Sequence, residues 1–509
     1  MKPATGLARV LVGCALVACQ GKPAPGAELA VVGESTRPRW EDPLPAVTPL
    51  FDGERVRLRG VRGETLGVHV VRAPRKHVPV ALAFDGDGSA GLRLEAFTVE
   101  HHRVNAPSTS MYGGSRGRGR YPDRLTPTQQ PVTAERSAFF DLAIARDAAP
   151  GPRTGTLTVG ERRIPVELVI EDLELPDLAA APWVWAYYDA KEVKRADDVA
   201  DVLGQERRYA ALFRSRGVVA SPELTAASWT DRKELVAGLR FIPVLLPLEP
   251  AAIATEVAGW IERTAGSGQV PFAIPIDEPR RLIDQLRVRA RAGWVRAGGG
   301  GPGRFLYAVT HEPSWLLGGD VDIYISPSAA GKHAGAWTYN GGPPWAGAMV
   351  LDAAEPGTRT WGWIGFRYDV PLWYVWDAMY WRDRYNRGRD AAPLEDLREK
   401  PVTFDDGEDH GNLDGVLVYP GVLPSLRLDA IRRGLQDRAL LELLAACAGR
   451  PAADAIVTPL VPRALGEARR GERASWPSDD AVFERARLRV LDELVACRRR
   501  PPAPSSPPP

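Results

Sequence analysis

From residue 46 to about 172 the chain runs in short apolar or alternating stretches broken by turn residues. Arg55 to Arg59, Thr65 to Val71, Val78 to Phe84, Gly91 to Phe97, Phe139 to Ala143, Thr154 to Val159 and Arg163 to Ile170 are the clearest. A period of two suits a strand with one face in a core, and a succession of such strands predicts an antiparallel β-sandwich over 46–175. Asn105 to Pro131, around Gly113 and Arg120, shows no such period. It is expected to be a long solvated loop, with anion binding by its arginines as the rival reading. Asp85 to Ser89 starts like a calcium loop but lacks the later ligands, and is read as a turn.

Past Leu175-Pro176 the rhythm changes. Apolar runs at Pro182 to Tyr187, Gly238 to Pro247, Val270 to Ile276, Arg304 to Val309, Val321 to Ile325 and Gly415 to Tyr419 alternate with helical patterns at Lys191 to Arg216, Ala251 to Thr264 and Arg280 to Ala297. Continuously apolar strands between helices are parallel strands covered on both faces. The expectation is an α/β domain over 176–450, specifically a (β/α)8 barrel, closed by an amphipathic helix from Ser425 to Ala446. A helical extension over 451–500 and a Pro/Ser tail over 501–509 complete the chain.

The N-terminus has its own pattern. Lys2 and Arg9 precede the short apolar run Val10 to Val17, and Leu16-Val17-Ala18-Cys19 reads as a lipobox with Cys19 as the lipidated residue. An apolar run this short is a processing signal and not a spanning helix, which needs about 20 residues. Residues 1–18 are expected to be the signal peptide and 19–45 a flexible tether, so that acyl chains hold an exported protein on the cell envelope. The rival is an ordinary secretory signal in which Cys19 is incidental. Gln20, in place of an inner-membrane retention Asp, favours the outer membrane.

Composition narrows the function classes. The 509 residues carry a net charge of +1, so no global field draws the chain to nucleic acid. The four cysteines match no metal-ligand spacing, and neither metal nor cofactor is expected. Outside the leader and Cys19 only Cys447 and Cys497 remain; a disulfide and two free thiols are both open readings. Trp, at 15 copies, outnumbers Phe at 12 and Tyr at 13, which suits a sugar cleft but equally a large core.

In a parallel barrel, chemistry sits where strands end. The run Val270 to Ile276 delivers Asp277-Glu278-Pro279 to such an end. Adjacent acids before a helix also serve as caps and complement the helix dipole, so the pair alone decides nothing. Its company is more telling. Asp277-Glu278, the strand Gly415-Val-Leu-Val-Tyr-Pro-Gly421, the helix start Pro424 to Asp437, the Trp-rich segment Trp361 to Trp381 and a sandwich ending at Glu174-Leu-Pro176 together resemble glycoside hydrolase family 123 and the related domain of unknown function 4091. The similarity spans most of residues 46–450.

That resemblance implies a retaining, substrate-assisted hydrolase of N-acetylhexosaminides, of the β-N-acetylgalactosaminide kind. Glu278 is then the acid/base, protonated at rest, and Asp277 the group that orients the acetamido N–H and stabilises an oxazolinium. A retaining pair with a protein nucleophile would need a further carboxylate from another strand end. Expected sugar contacts are Trp337, Tyr339, Asn340, Trp363 and Trp373, with burial in the core as the rival for each tryptophan. Trp361-Gly-Trp363 is read as a strand, and Glu312, after the strand ending at Val309, is the reserve acid. Asp405 to His410 is read as a turn. The expected partner is a carbohydrate; a non-catalytic glycan-binding or envelope scaffold protein is the alternative, and the oligomeric state is undetermined.

Overall fold

A computed structural model describes residues 26–74, 77–317, 319–382 and 397–499. The lipobox with Cys19 and the Pro/Ser tail fall outside these residues. Ten strands form the N-terminal sandwich: β1 (Leu29–Val32), β2 (Val56–Arg62), β3 (Thr65–Arg72), β4 (Val78–Phe84), β5 (Leu92–Val104), β6 (Gly119–Thr128), β7 (Val132–Ala134), β8 (Ser137–Ile144), β9 (Gly151–Val159) and β10 (Arg162–Glu174). They pair as two five-stranded sheets, β1-β3-β8-β5-β6 and β2-β10-β9-β4-β7. The period-two positions meet between them: Val56, Leu58, Val166 and Leu168 pack against Val68, Val70, Phe140 and Leu142. Gly160, at φ 60, lets a two-residue turn join β9 to β10.

Three expectations for this half are corrected. The sandwich is not wholly antiparallel, because β10 runs parallel to β2. The proposed tether over 19–45 is not free along its length: Leu29–Val32 pairs with β3, and Glu34, Ser35 and Arg37 are buried. The supposed loop Asn105 to Pro131 contains the ten-residue β6, whose Tyr121 and Leu125 are fully buried. Three of its four arginines form ion pairs, Arg116 with Asp42 and Glu355, Arg120 with Glu41 and Arg124 with Glu100. Low apolar content hid a strand whose outer face is spent on charged contacts.

The second half is built on parallel strands: β11 (Val184–Tyr187), β12 (Val218–Ser221), β13 (Phe241–Pro243), β14 (Val270–Ala273), β15 (Leu306–Val309), β16 (Ile323–Tyr324), β17 (Thr338–Tyr339) and β18 (Trp373–Val375). They form two four-stranded sheets, β12-β11-β18-β17 and β13-β14-β15-β16. Parallel bridges Leu224–Val244 and Ile325–Trp337 link the sheets at both edges. Burial of both faces, complete along β12 and β15, explains their unbroken apolar runs. Helices α1 (Ala190–Asp197), α2 (Val202–Arg214), α3 (Trp229–Arg232), α4 (Pro250–Thr264), α5 (Leu282–Ala297) and α6 (Thr360–Arg367) fill most of the crossovers. The β15–β16 and β16–β17 connections carry no α-helix among the described residues.

Strand membership differs from expectation at several points. Trp361-Gly-Trp363 lies in helix α6. The run Gly415 to Tyr419 is not one of the parallel strands; after a hairpin of β19 (Val402–Asp405) and β20 (His410–Asn412), β21 (Val418–Tyr419) pairs antiparallel with β22 (Leu423–Pro424). The short strands β12, β17 and β18 were not named in advance.

Helices α7 (Leu426–Ala448), α8 (Arg450–Leu460) and α9 (Asp480–Arg499) follow. Helix α7 is not amphipathic as expected. Its residues from Leu426 to Asp437 are all buried, charged ones included, because they meet carboxylates from the sandwich. Arg427 grips Asp123 of β6 with two bonds of 3.0 and 2.9 Å. Arg432 is bidentate on Asp141 of β8, at 2.9 and 2.6 Å, and Arg433 pairs with Glu64 at 2.5 Å. On the far side Arg359 reaches Asp437, Asp480 and Glu484. A disulfide between Cys447 and Cys497 ties α7 to α9. Among the described residues no helix is long and apolar enough to cross a membrane.

Candidate active site

The inward faces of the parallel strands supply a floor of aromatic rings. Trp337 lies between Phe241 and Phe272, with centroids 4.9 and 5.0 Å away, and Trp185 stacks on Tyr374 at 4.6 Å. Above this layer, toward the carboxyl ends of the strands, the residues turn polar.

Asp277 and Glu278 follow β14 and are pinned by one hydroxyl from the next strand end. Thr310 donates to Asp277 Oδ1 at 2.5 Å and accepts the Glu278 backbone N–H at 2.7 Å. Glu278 has φ 38, a left-handed conformation rare outside glycine, which turns its side chain relative to that of Asp277. Strain of this kind persists where surrounding contacts over-determine it, and such positions cluster at functional sites. Tyr339, at the end of β17, donates its O–H to Glu278 Oε1 at 3.0 Å, while the other carboxylate oxygen meets Arg280. The Arg280 side chain is 79% exposed, so this ion pair contributes little and is readily given up.

A third carboxyl completes the group. Glu223 lies just beyond the end of β12, with no ion pair to any described residue. Burial pushes its carboxyl up to about 7, and the nearby charge of Asp277 adds to the rise. Asp277 is exposed as a residue, yet its carboxyl is also raised. Burial of the group is the main cause, opposed by the Thr310 hydrogen bond and reinforced by Glu278. Tyr339 is pushed far above the ordinary phenol value by burial and then by Glu278, so it remains a donor. The raised carboxyls are Asp277 and Glu223, whereas Glu278 receives two donors.

The other expected contacts are distributed unevenly. Asn340, at φ 50, is a turn residue whose Oδ1 accepts the Trp376 N–H at 2.9 Å and whose carbonyl accepts the Trp373 indole N–H. It shapes the loop beside Tyr339. Trp337 is 2% exposed and belongs to the floor. Trp373 is fully buried and stacked on Trp361, and Trp363 is fully buried with its indole N–H on Asp437, at the helical seam. These three tryptophans present no surface to a ligand; their bulk serves the core. Glu312 stands exposed on the loop after β15, its carboxylate taken by Ser328. The carboxylates of Asp405 and Asp406 accept backbone N–H groups of their own turn. Glu223 and Thr310 were missed by the sequence reading. Glu223 went unseen because its strand is only four residues long, and Thr310 because the eye passes to the acid two places on.

No family model matches the chain, and no curated protein matches it in sequence. Solved structures do. A family 123 glycoside hydrolase from Clostridium perfringens, examined for glycolipid glycan hydrolysis, aligns over 92% of this chain and 98% of that chain, with a TM-score of 0.61 and 11% identity. The chain has the fold of a family 123 glycoside hydrolase. A glycosyl hydrolase family 2 member from Bacteroides cellulosilyticus covers 71% of this chain and 49% of its own, at 9% identity and a TM-score of 0.25. An FMN-binding β-glucuronidase from Facaelibacterium prausnitzii covers 77% and 61%, at 9% identity and 0.22. These last two overlaps are too loose to bear on the site.

Proposed function

We propose that the chain is a glycosidase acting on 2-acetamido sugars, with the eight parallel strands read as a closed, irregular (β/α)8 barrel. The observation that carries this is the cluster of Glu223, Asp277, Glu278 and Tyr339 at the carboxyl ends of three different strands, with two of its carboxyls held above their ordinary range. Pairs of acids whose environments push their proton affinities apart are what acid/base chemistry near neutrality requires. The shared fold with a family 123 enzyme adds to the case.

In this reading the sugar's acetamido oxygen attacks the anomeric carbon while the bond to the glycosidic oxygen breaks. Glu278, released from Arg280 as the substrate enters, takes up a proton from solvent and gives it to the departing oxygen. Asp277 accepts the acetamido N–H and stabilises the positive charge of the oxazolinium. Water then loses a proton to Glu278 and attacks the same carbon, so the configuration is retained. The enzyme supplies no nucleophile.

Glu223 favours a second reading, in which it is a protein nucleophile opposite Glu278. A carboxyl raised to about 7 is a poor nucleophile at neutral pH, which weighs against it. A thiazoline that imitates the oxazoline separates the two readings: strong competitive inhibition of aryl N-acetyl-β-galactosaminide hydrolysis is expected, and hydrolysis without inhibition supports Glu223. No hydrolysis of any aryl glycoside supports a glycan-binding protein instead. Export and lipidation at Cys19 belong to the same proposal, and the Cys447–Cys497 disulfide suits an oxidising compartment.

A further inference from the structure

Ten large apolar side chains are strongly exposed among the described residues, and seven of them fall between Leu245 and Trp315. Singly exposed apolar residues are ordinary; a concentration on one face is not. The centre of this face is α5. Its inner stripe, Val288, Ala292 and Val295, is buried against the domain. On the opposite side Ile283, Leu286, Ala290 and Trp294, spaced three, four and four residues apart, make a second apolar stripe that faces water. The loop after β13 is tied to α5 by a hydrogen bond from Arg291 to the Leu248 carbonyl, and the loop after β15 by one from Ser314 to Gln285. At the tips of those loops stand Leu248, 80% exposed, and Trp315, 86% exposed. Leu282, 60% exposed, is only four residues beyond Glu278, so the apolar face borders the carboxylate cluster.

The charges carried by α5 itself are mostly positive. Residues 280–297 contain six arginines and one acid, Asp284. Arg281 and Arg287 share Asp284, Arg289 pairs with Asp320, Arg296 with Asp322 and Arg280 with Glu278, which leaves positive charge in excess. Glu249 and Glu312 on the two loops balance that excess over the face as a whole, so the positive charge is local to α5. A helix with an exposed Leu/Ile/Trp stripe, flanking arginines and large apolar residues protruding from neighbouring loops has the chemistry of an interfacial membrane element. Protruding tips suit insertion among lipid head groups; a helical or peptide partner would call for a groove.

We infer that α5 and the loops after β13 and β15 dock on an anionic lipid bilayer, so that the carboxylate cluster opens beside the membrane surface. The docking stands on the exposed face alone; its use, delivery of the site to glycans displayed on lipids, rests on the glycosidase reading.

The test uses the full chain with Cys19→Ser, so that no acyl chain can attach, in co-sedimentation with unilamellar vesicles of phosphatidylcholine and phosphatidylglycerol. The parent is expected to pellet with these vesicles, and less with phosphatidylcholine alone. Leu248→Ser/Ile283→Ser/Trp315→Ser changes only exposed residues. It is expected to keep the parent's melting temperature and its rate on a soluble aryl glycoside while losing about tenfold or more of vesicle binding. Glu278→Gln is expected to bind vesicles like the parent, so docking and catalysis are read separately. A parent that stays in the supernatant, or a triple variant that pellets equally, overturns the inference. So does a parent dimer, seen by sedimentation velocity and abolished in the triple variant, in the absence of vesicle binding; the face would then join two copies.

Discussion

Two regions of this molecule hold carboxyls away from water, and Asp123, Asp141 and Glu64 of the first are shifted in the opposite direction to Glu223 and Asp277 of the second. Along the seam between α7 and the sandwich, Asp123, Asp141 and Glu64 each face guanidinium groups at hydrogen-bond distance. Burial there would raise Asp123 and Glu64, but Arg427 in one case and Arg487 with Arg433 in the other outweigh it and hold both below the ordinary range. At the strand ends, the carboxyls of the half-buried Glu223 and of Asp277 are shielded from water without an ion-pair partner, and both are raised. Buried ion pairs with complete partners join elements and fix their geometry; buried acids left with one another keep protons that chemistry can use. The helix start Pro424 to Asp437, which contributes so much to the family resemblance, belongs to the first class. It speaks for the fold, whereas Asp277 and Glu278 speak for the activity.

The contrast can be broken at either end. Arg427→Met leaves Asp123 buried and unpaired, and is expected to cost about 3–5 kcal/mol of stability by denaturant titration. A loss under about 1 kcal/mol would mean that the seam is not held by its charges. Asp277→Asn is expected to leave the melting temperature unchanged or raised, while turnover of an N-acetylhexosaminide falls about 100-fold. A stability loss with normal turnover would move Asp277 into the structural class.

Glu223→Gln gives a smaller effect with a definite sign. The folded value of Glu223 lies near 7, above its ordinary value, so its contribution to stability is full at low pH and is lost as pH rises through 7. The loss is on the order of 2 kcal/mol. The variant is therefore expected to lose less melting temperature than the parent between pH 5 and pH 8. Some slope remains, because burial also holds Glu34 near 7 despite Arg433 and Arg432. Equal slopes in the two proteins would show that Glu223 is not the unpaired acid of the cluster.

Much of the architecture was legible because hydrophobic periodicity is local. The alternating strands of the sandwich and the apolar runs of β11, β14 and β15 could be read in windows of a few residues, and the strand-end rule led from β14 to Asp277 and Glu278. What was not legible depends on distant partners or on very short elements. Helix α7 looked like a surface helix because Arg427, Arg432 and Arg433 find their carboxylates about 300 residues earlier in the chain. Strand β12, with Val218–Ser221, is too short to show a period, and Glu223 was lost with it. Trp361 and Trp363 alternate in sequence, but burial on every side of α6 removes the polar face that would have marked a helix.

The most direct measurement compares parent and Glu278→Gln on two matched substrates, aryl 2-acetamido-2-deoxy-β-galactoside and aryl β-galactoside. Turnover is expected only where the acetamido group is present, with retention at the anomeric carbon, and is expected to fall about 1,000-fold or more in the variant. Undiminished hydrolysis by Glu278→Gln, or equal rates on both sugars in the parent, would contradict a substrate-assisted glycosidase built on Glu278.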